Sequence, residues 1–153
     1  GPMAFNITAT LDRLQSYVQA HGGFRNVVVG EPKSPPTDSL SAAIWTQSVD
    51  VTKVFLGGGT REVYSVLVRV YRNWLSEPRD QVEKDLAHSV SALMEDLLAD
   101  FELGGGVVAI DPAGMEGSGV TIRWGHVEIS NVMFRVVDIT LPLIVDDSAT
   151  LAP

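Results

Sequence analysis

Residues 77–106 read EPRDQVEKDLAHSVSALMEDLLADFELGGG, and this stretch decides the fold. Val82, Leu86, Val90, Leu93, Leu97 and Phe101 recur at steps of three or four. That spacing puts them on one stripe of an α-helix, widened by Met94 and Leu98. Pro78 suits the first turn, where its missing N–H removes no intrahelical bond. Gly104, Gly105 and Gly106 supply a stop, because glycine takes the left-handed conformation that ends helices. A helix of about two dozen residues with one apolar side must lie on something. The strand-like segments before and after it are its floor.

Upstream, Asn6 or Thr8 caps a first helix in which Ile7, Leu11, Leu14 and Val18 keep helical spacing, and Gly22-Gly23 ends it. Arg25 to Val29 is a short strand. Glu31 to Ser41, with Pro32, Pro35 and Pro36, is too proline-rich for a helix or a central strand and reads as an exposed arm. Ala42 to Val54 is a strand of mixed polarity, Phe55 to Thr60 a glycine-rich turn, and Arg61 to Trp74 a long strand. The two strands pair as a hairpin. On the long strand Tyr64, Val66, Val68 and Val70 share one face, while Val63, Leu67 and Tyr71 share the other with Ser65 and Arg69.

Downstream, Val107 to Asp111 is a short strand, and turn residues lead into a flexible segment through Gly119. Val120, Ile122 and Trp124 alternate with polar residues, after which the apolar positions become Val127 and Ile129. That change of parity predicts a β-bulge at Gly125-His126. A last strand runs from about Val132 to Val145, and residues 146–153 read as a flexible tail. Gly1-Pro2 reads as a scar of tag removal, leaving 3–145 as a single domain. The order of elements predicts an α+β fold, a largely antiparallel twisted sheet with two helices packed on one face. For the other face two arrangements fit. Either Leu67 and Tyr71 are exposed for another chain to cover, or the sheet curls and buries them itself.

The totals narrow the function classes. With 45% hydrophobic and 20% charged residues the composition is globular. No run of about 18 apolar residues suggests a membrane span, and no signal-peptide pattern opens the chain. The lack of cysteine excludes disulfides and thiolate metal sites and suits a reducing cytoplasm. A net charge of −8 argues against gripping phosphate backbones, while allowing DNA to slide past.

No cofactor, metal or catalytic site is expected. His21, His88 and His126 form no spaced zinc pair, and His88 reads as a solvated surface residue. Residues 57–60 lack the lysine and following helix of a phosphate loop. The acidic pairs Asp146-Asp147 and Glu95-Asp96 lack the spacing of a calcium loop. His126 and Asp111 are the least weak catalytic candidates. Glu95, Asp96, Asp100 and Glu102 crowd the negative end of the central helix, at about 0.3–1 kcal/mol each at low salt. Either solvent screens them or cations of a neighbouring subunit do, with Arg61 and Arg69 the candidates for that pairing. Phe55, Leu56 and Met115, apolar residues in turns and loops, join Leu67 and Tyr71 as candidate contacts to a subunit or partner.

Taken together, ITATLDRLQSYVQ, then VVVGEP and a proline-rich loop, AAIWTQSVDVT, REVYSVLVRVYRNW, the central helix and VTIRWGHVEISNVMFRVVDITLPLIV resemble a tail terminator, or tail-completion protein, of long-tailed bacteriophages. The resemblance rests on the order and size of elements over residues 4–145, and the family carries no catalytic motif. It implies a homo-oligomeric ring, six subunits in that family, seated on the end of the tail tube. The ring would stop tube growth and present a surface to the head-completion or connector protein. Genomic DNA would pass through its opening without specific binding, and no membrane would be involved. The implied location is the head-proximal end of the virion tail, reached from the host cytoplasm. A head-closure or neck adaptor would share this description, and a small non-viral ligand-binding domain is the alternative from another class.

Overall fold

The computed structural model describes residues 6–21, 23–35, 40–75, 78–99, 109–110, 114 and 119–147. The fold is the expected α+β arrangement. Helix α1 (Ile7–His21) precedes strands β1 (Asn26–Val29), β2 (Ser41–Val54) and β3 (Thr60–Asn73). Helix α2 (Arg79–Ala99) follows, then β4 (Ala109–Ile110), β5 (Thr121–Ile129) and β6 (Val132–Asp147). Asn6 proves to be the cap of α1: its side-chain oxygen accepts the Ala9 N–H at 3.1 Å. Pro78 stands just ahead of α2, its carbonyl accepting the Val82 N–H at 3.1 Å.

The strands form one open sheet in the order β1-β2-β3-β6, with β4 and β5 sharing the outer edge of β6. Pairing is antiparallel except for β1 against β2. Pro142 falls where β5, paired as far as Thr140, gives way to β4, paired from Leu143. A proline without an N–H suits such a break in the ladder. β6 extends to Asp147, so the sheet continues beyond the expected start of the tail at 146.

Both helices lie on the face that carries Ala42, Ile44, Val66, Val68, Val70, Val137, Ile139 and Leu141. The α2 stripe expected from periodicity is buried there, with Val82, Leu86, Leu93 and Leu97 fully covered. Phe101 lies outside the described residues. Ion pairs fasten α2 to the strands beneath it, Glu83 to Arg135 at 2.5 Å and Asp85 to Arg72 at 3.5 Å.

One register expectation needs correction. β5 pairs with β6 without interruption from Thr121 to Ile129, so there is no bulge at Gly125-His126. Its apolar residues change parity because they serve different faces. Ile122 and Trp124 oppose Ile139 and Val137 on the helix side, whereas Val127 opposes Phe134 on the other. The irregularities lie in β2, where Gln47 and Thr52 are extra residues opposite an uninterrupted β3. Each reverses the alternation, so Ile44, then Val49 and Val51, then Val54 all point to the helix side.

Candidate interaction surfaces

The face away from the helices is concave. Gln47, Ser48, Asp50 and Thr52 of β2 line one groove with Gly119, Thr121 and Arg123 from the β5 side. β3 and β6 form its floor, and its volume is ≈ 490 Å³. The sheet therefore curls. Leu67 and Tyr71 are 2% and 1% exposed, so of the two arrangements open for this face the curled sheet that buries them itself is the one found, and they offer no apolar patch to a partner. Tyr71 packs edge-on against Phe134, centroids 5.9 Å apart, in a small second core with Ala43 and Val136. Burial raises the Tyr71 hydroxyl above its ordinary pKa of 10.0, and the Arg69 charge partly opposes this.

Arg69 and Arg61 are likewise occupied within the chain rather than left for a neighbour's acidic helix end. Arg69 donates from Nε to Asp138 Oδ1 at 2.6 Å and from Nη2 to Oδ2 at 2.9 Å. Its guanidinium lies 5.4 Å from the centre of the Trp45 ring. Arg61 makes the same two-pronged contact with Asp146, at 2.7 and 2.9 Å. Both pairs occupy directly opposed positions of β3 and β6. The Arg61 hydrogen bonds hold the Asp146 carboxyl below the ordinary range. At the acidic end of α2, Asp96 finds an internal partner: its Oδ2 is 2.9 Å from His21 Nδ1 at the end of α1. Asp100 and Glu102 lie outside the described residues.

The β2–β3 hairpin brings Phe55, Leu56 and Arg61 together at one end of the sheet. Gly57, Gly58 and Gly59 all have positive φ there, a conformation that other residues adopt only at a cost. The turn is tied by the Phe55 N–H to the Gly59 carbonyl at 3.0 Å. Phe55 is half-buried, with Lys53 and Arg61 5.6 and 5.9 Å from its ring centre. Leu56 is wholly exposed at the tip. Leu67, Arg69 and Tyr71 lie further along β3 on the concave face, apart from that tip, and Met115 lies outside the described residues.

Sequence reasoning missed the two open edges of the sheet. β2 is covered by β1 only over Ser41–Ile44, so residues 46–54 have no outer partner among the described residues. Among the described residues β5 pairs with β6 alone. Each edge carries apolar side chains left exposed on the helix side: Val49 at 44% and Val51 at 60% on β2, Ile122 at 42% and Trp124 at 41% on β5. The alternation in SVDV was a visible signal, but placing those valines on a face requires the β2 bulges.

His126 is exposed and meets Trp74 edge-on at 4.8 Å, and His88 is exposed on α2 as expected. Asp111 lies outside the described residues. Among the described residues no group of three or more histidines and carboxylates is placed to hold a metal ion, and no helix is long and apolar enough to cross a membrane.

No protein-family model matches the chain, and no curated protein matches it. Among solved structures, it is similar to a chain in the virion of a native gene transfer agent particle, at 12% identity and a TM-score of 0.45 over 90% of this chain and 91% of the other. A likeness at that level bears on neither family nor activity.

Proposed function

We propose that this chain is a non-catalytic structural protein that assembles into a ring on the end of a phage-type tail tube, stops tube growth and offers the surface for head joining. The observation that carries the reading is a sheet left open along both edges among the described residues, each edge exposing apolar residues on the same side. Two different edges that complement each other make a heterologous contact, and such contacts close into rings when the rotation allows. The resemblance in element order supplies the kind of ring. The net charge of −8 suits an opening through which DNA moves without being held.

Native mass across a concentration series, with electron microscopy of any large species, tests assembly. Adding the protein to growing tail tubes tests termination, and unchanged tube lengths would refute it. A second reading, a small ligand-binding domain, draws on the concave groove with its Ser48, Thr52, Ser65, Thr121 and Thr140 hydroxyls. That reading requires a monomer at all concentrations.

A further inference from the structure

The two open edges match each other. Strand direction alternates across β2, β3, β6 and β5. A second copy set beside the first in the same orientation therefore brings its β2 antiparallel to the first copy's β5. We propose that residues 46–54 of one copy pair antiparallel with β5 of the next, Asp50 opposite Arg123, so that the sheet runs head to tail through the assembly. The proposal rests on self-assembly as read above and names the surfaces that make it.

Side-chain direction supports this register. Asp50 opposes Val63, and Arg123 opposes Asp138, which places both charges on the concave side. Neither has an ion-pair partner among the described residues. Setting them opposite one another also sets Val49 against Trp124 and Val51 against Ile122, all four exposed on the helix side. A one-residue slip would turn the valines toward the wrong face. Pairing either edge with itself about these positions would instead oppose Asp50 to Asp50 or Arg123 to Arg123, which is unfavourable.

The stagger is also reasonable. Through β3, Asp50 is level with Ile144 of β6, whereas Arg123 is level with Asp138, six residues away. Six residues along four strands amount to roughly 20 Å of shift for about 19 Å of width. Strands then tilt by roughly 45°, at the upper end of the usual range for closed barrels.

The absence of cysteine makes the test direct. A Val51→Cys, Ile122→Cys chain should oxidise to a ladder of covalent oligomers in which digestion recovers peptides joining 51 to 122, while each single-cysteine chain stays uncrosslinked. Within one copy the two sites are too far apart to bridge, by roughly 20 Å along the strands alone. Asp50→Arg and Arg123→Asp should each weaken assembly by roughly tenfold in sedimentation, and the double variant should recover it. If the cysteine chain misfolds by circular dichroism, the charge series decides alone. An oligomer that gives no ladder and ignores the charge swaps overturns the edge pairing but leaves the ring. Crosslinked dimers from a single-cysteine chain also overturn it. A monomer at every concentration overturns both readings.

Discussion

Arg69 and Asp138 join β3 to β6 through two hydrogen bonds of 2.6 and 2.9 Å, with the guanidinium lying by the Trp45 ring. Their side chains keep 19% and 26% exposure. The pair therefore lies between two regimes. Fully exposed pairs are worth about 0.2–1 kcal/mol, and breaking a buried pair costs about 3–5 kcal/mol. Arg69→Met keeps a flexible stem to lie on Trp45, and it should cost about 2 kcal/mol, as should Asp138→Ala. Each single change leaves the remaining charge half-buried without its partner. The double variant should then cost about 2.5 kcal/mol in place of the roughly 4 expected from independent sites, a coupling of about 1.5 kcal/mol. At about 2–4 °C per kcal/mol for a chain of this size, each single variant should melt about 6 °C lower. Urea and thermal unfolding of the four proteins measure the cycle. Strict additivity would refute the claim that the two charges act as a unit, and single losses under about 0.5 kcal/mol would place the pair in the solvent regime.

Other outcomes follow from the same structure. A carboxyl pKa held low contributes stability that is present above its unfolded value, 3.8 for Asp146, and is lost as pH falls through the lowered folded value. Asp146→Asn should therefore flatten the acid limb of a stability–pH curve. Tyr71 works in the opposite sense: a raised pKa contributes stability that is present below 10.0 and is lost as pH climbs through the folded value. Tyr71→Phe should abolish that alkaline loss, as followed by unfolding between pH 8 and about 11. Leu86 is fully buried in the middle of the α2 stripe, and Leu86→Ala should cost roughly 3 kcal/mol by urea unfolding. Ser130 and Asn131 turn β5 into β6 with φ of 48° and 67°. Two positive φ values suit a tight hairpin turn that favours glycine at its second position, so Asn131→Gly should raise the melting temperature by a degree or more.

The helices were legible because a 3.6-residue period over five turns is hard to produce by chance: Val82, Leu86, Leu93 and Leu97 are where the spacing put them. The hairpin at 55–60 was legible from its glycines, which the turn needs for positive φ. Bulges were not. Gln47 and Thr52 carry no compositional mark, and two reversals of parity within β2 make an ordered strand look merely mixed. The reverse error occurred in β5, where an unbroken strand changes the face it needs covered and so imitates a bulge.

Cross-strand charge pairs stayed hidden for a related reason. Arg61 and Arg69 are eight residues apart on β3, and Asp146 and Asp138 are eight apart on β6. One register satisfies both pairs, and nothing local to either arginine announces it. In a chain with 11 cations against 19 carboxylates, each cation spent internally changes what an interface can use. With Arg61, Arg69 and Arg135 committed to Asp146, Asp138 and Glu83, the acidic end of α2 can expect little from them. Arg123, on an open edge and facing away from the helices, remains available. Its natural counterpart is a carboxylate equally unpaired on an edge of opposite direction, and Asp50 meets that description.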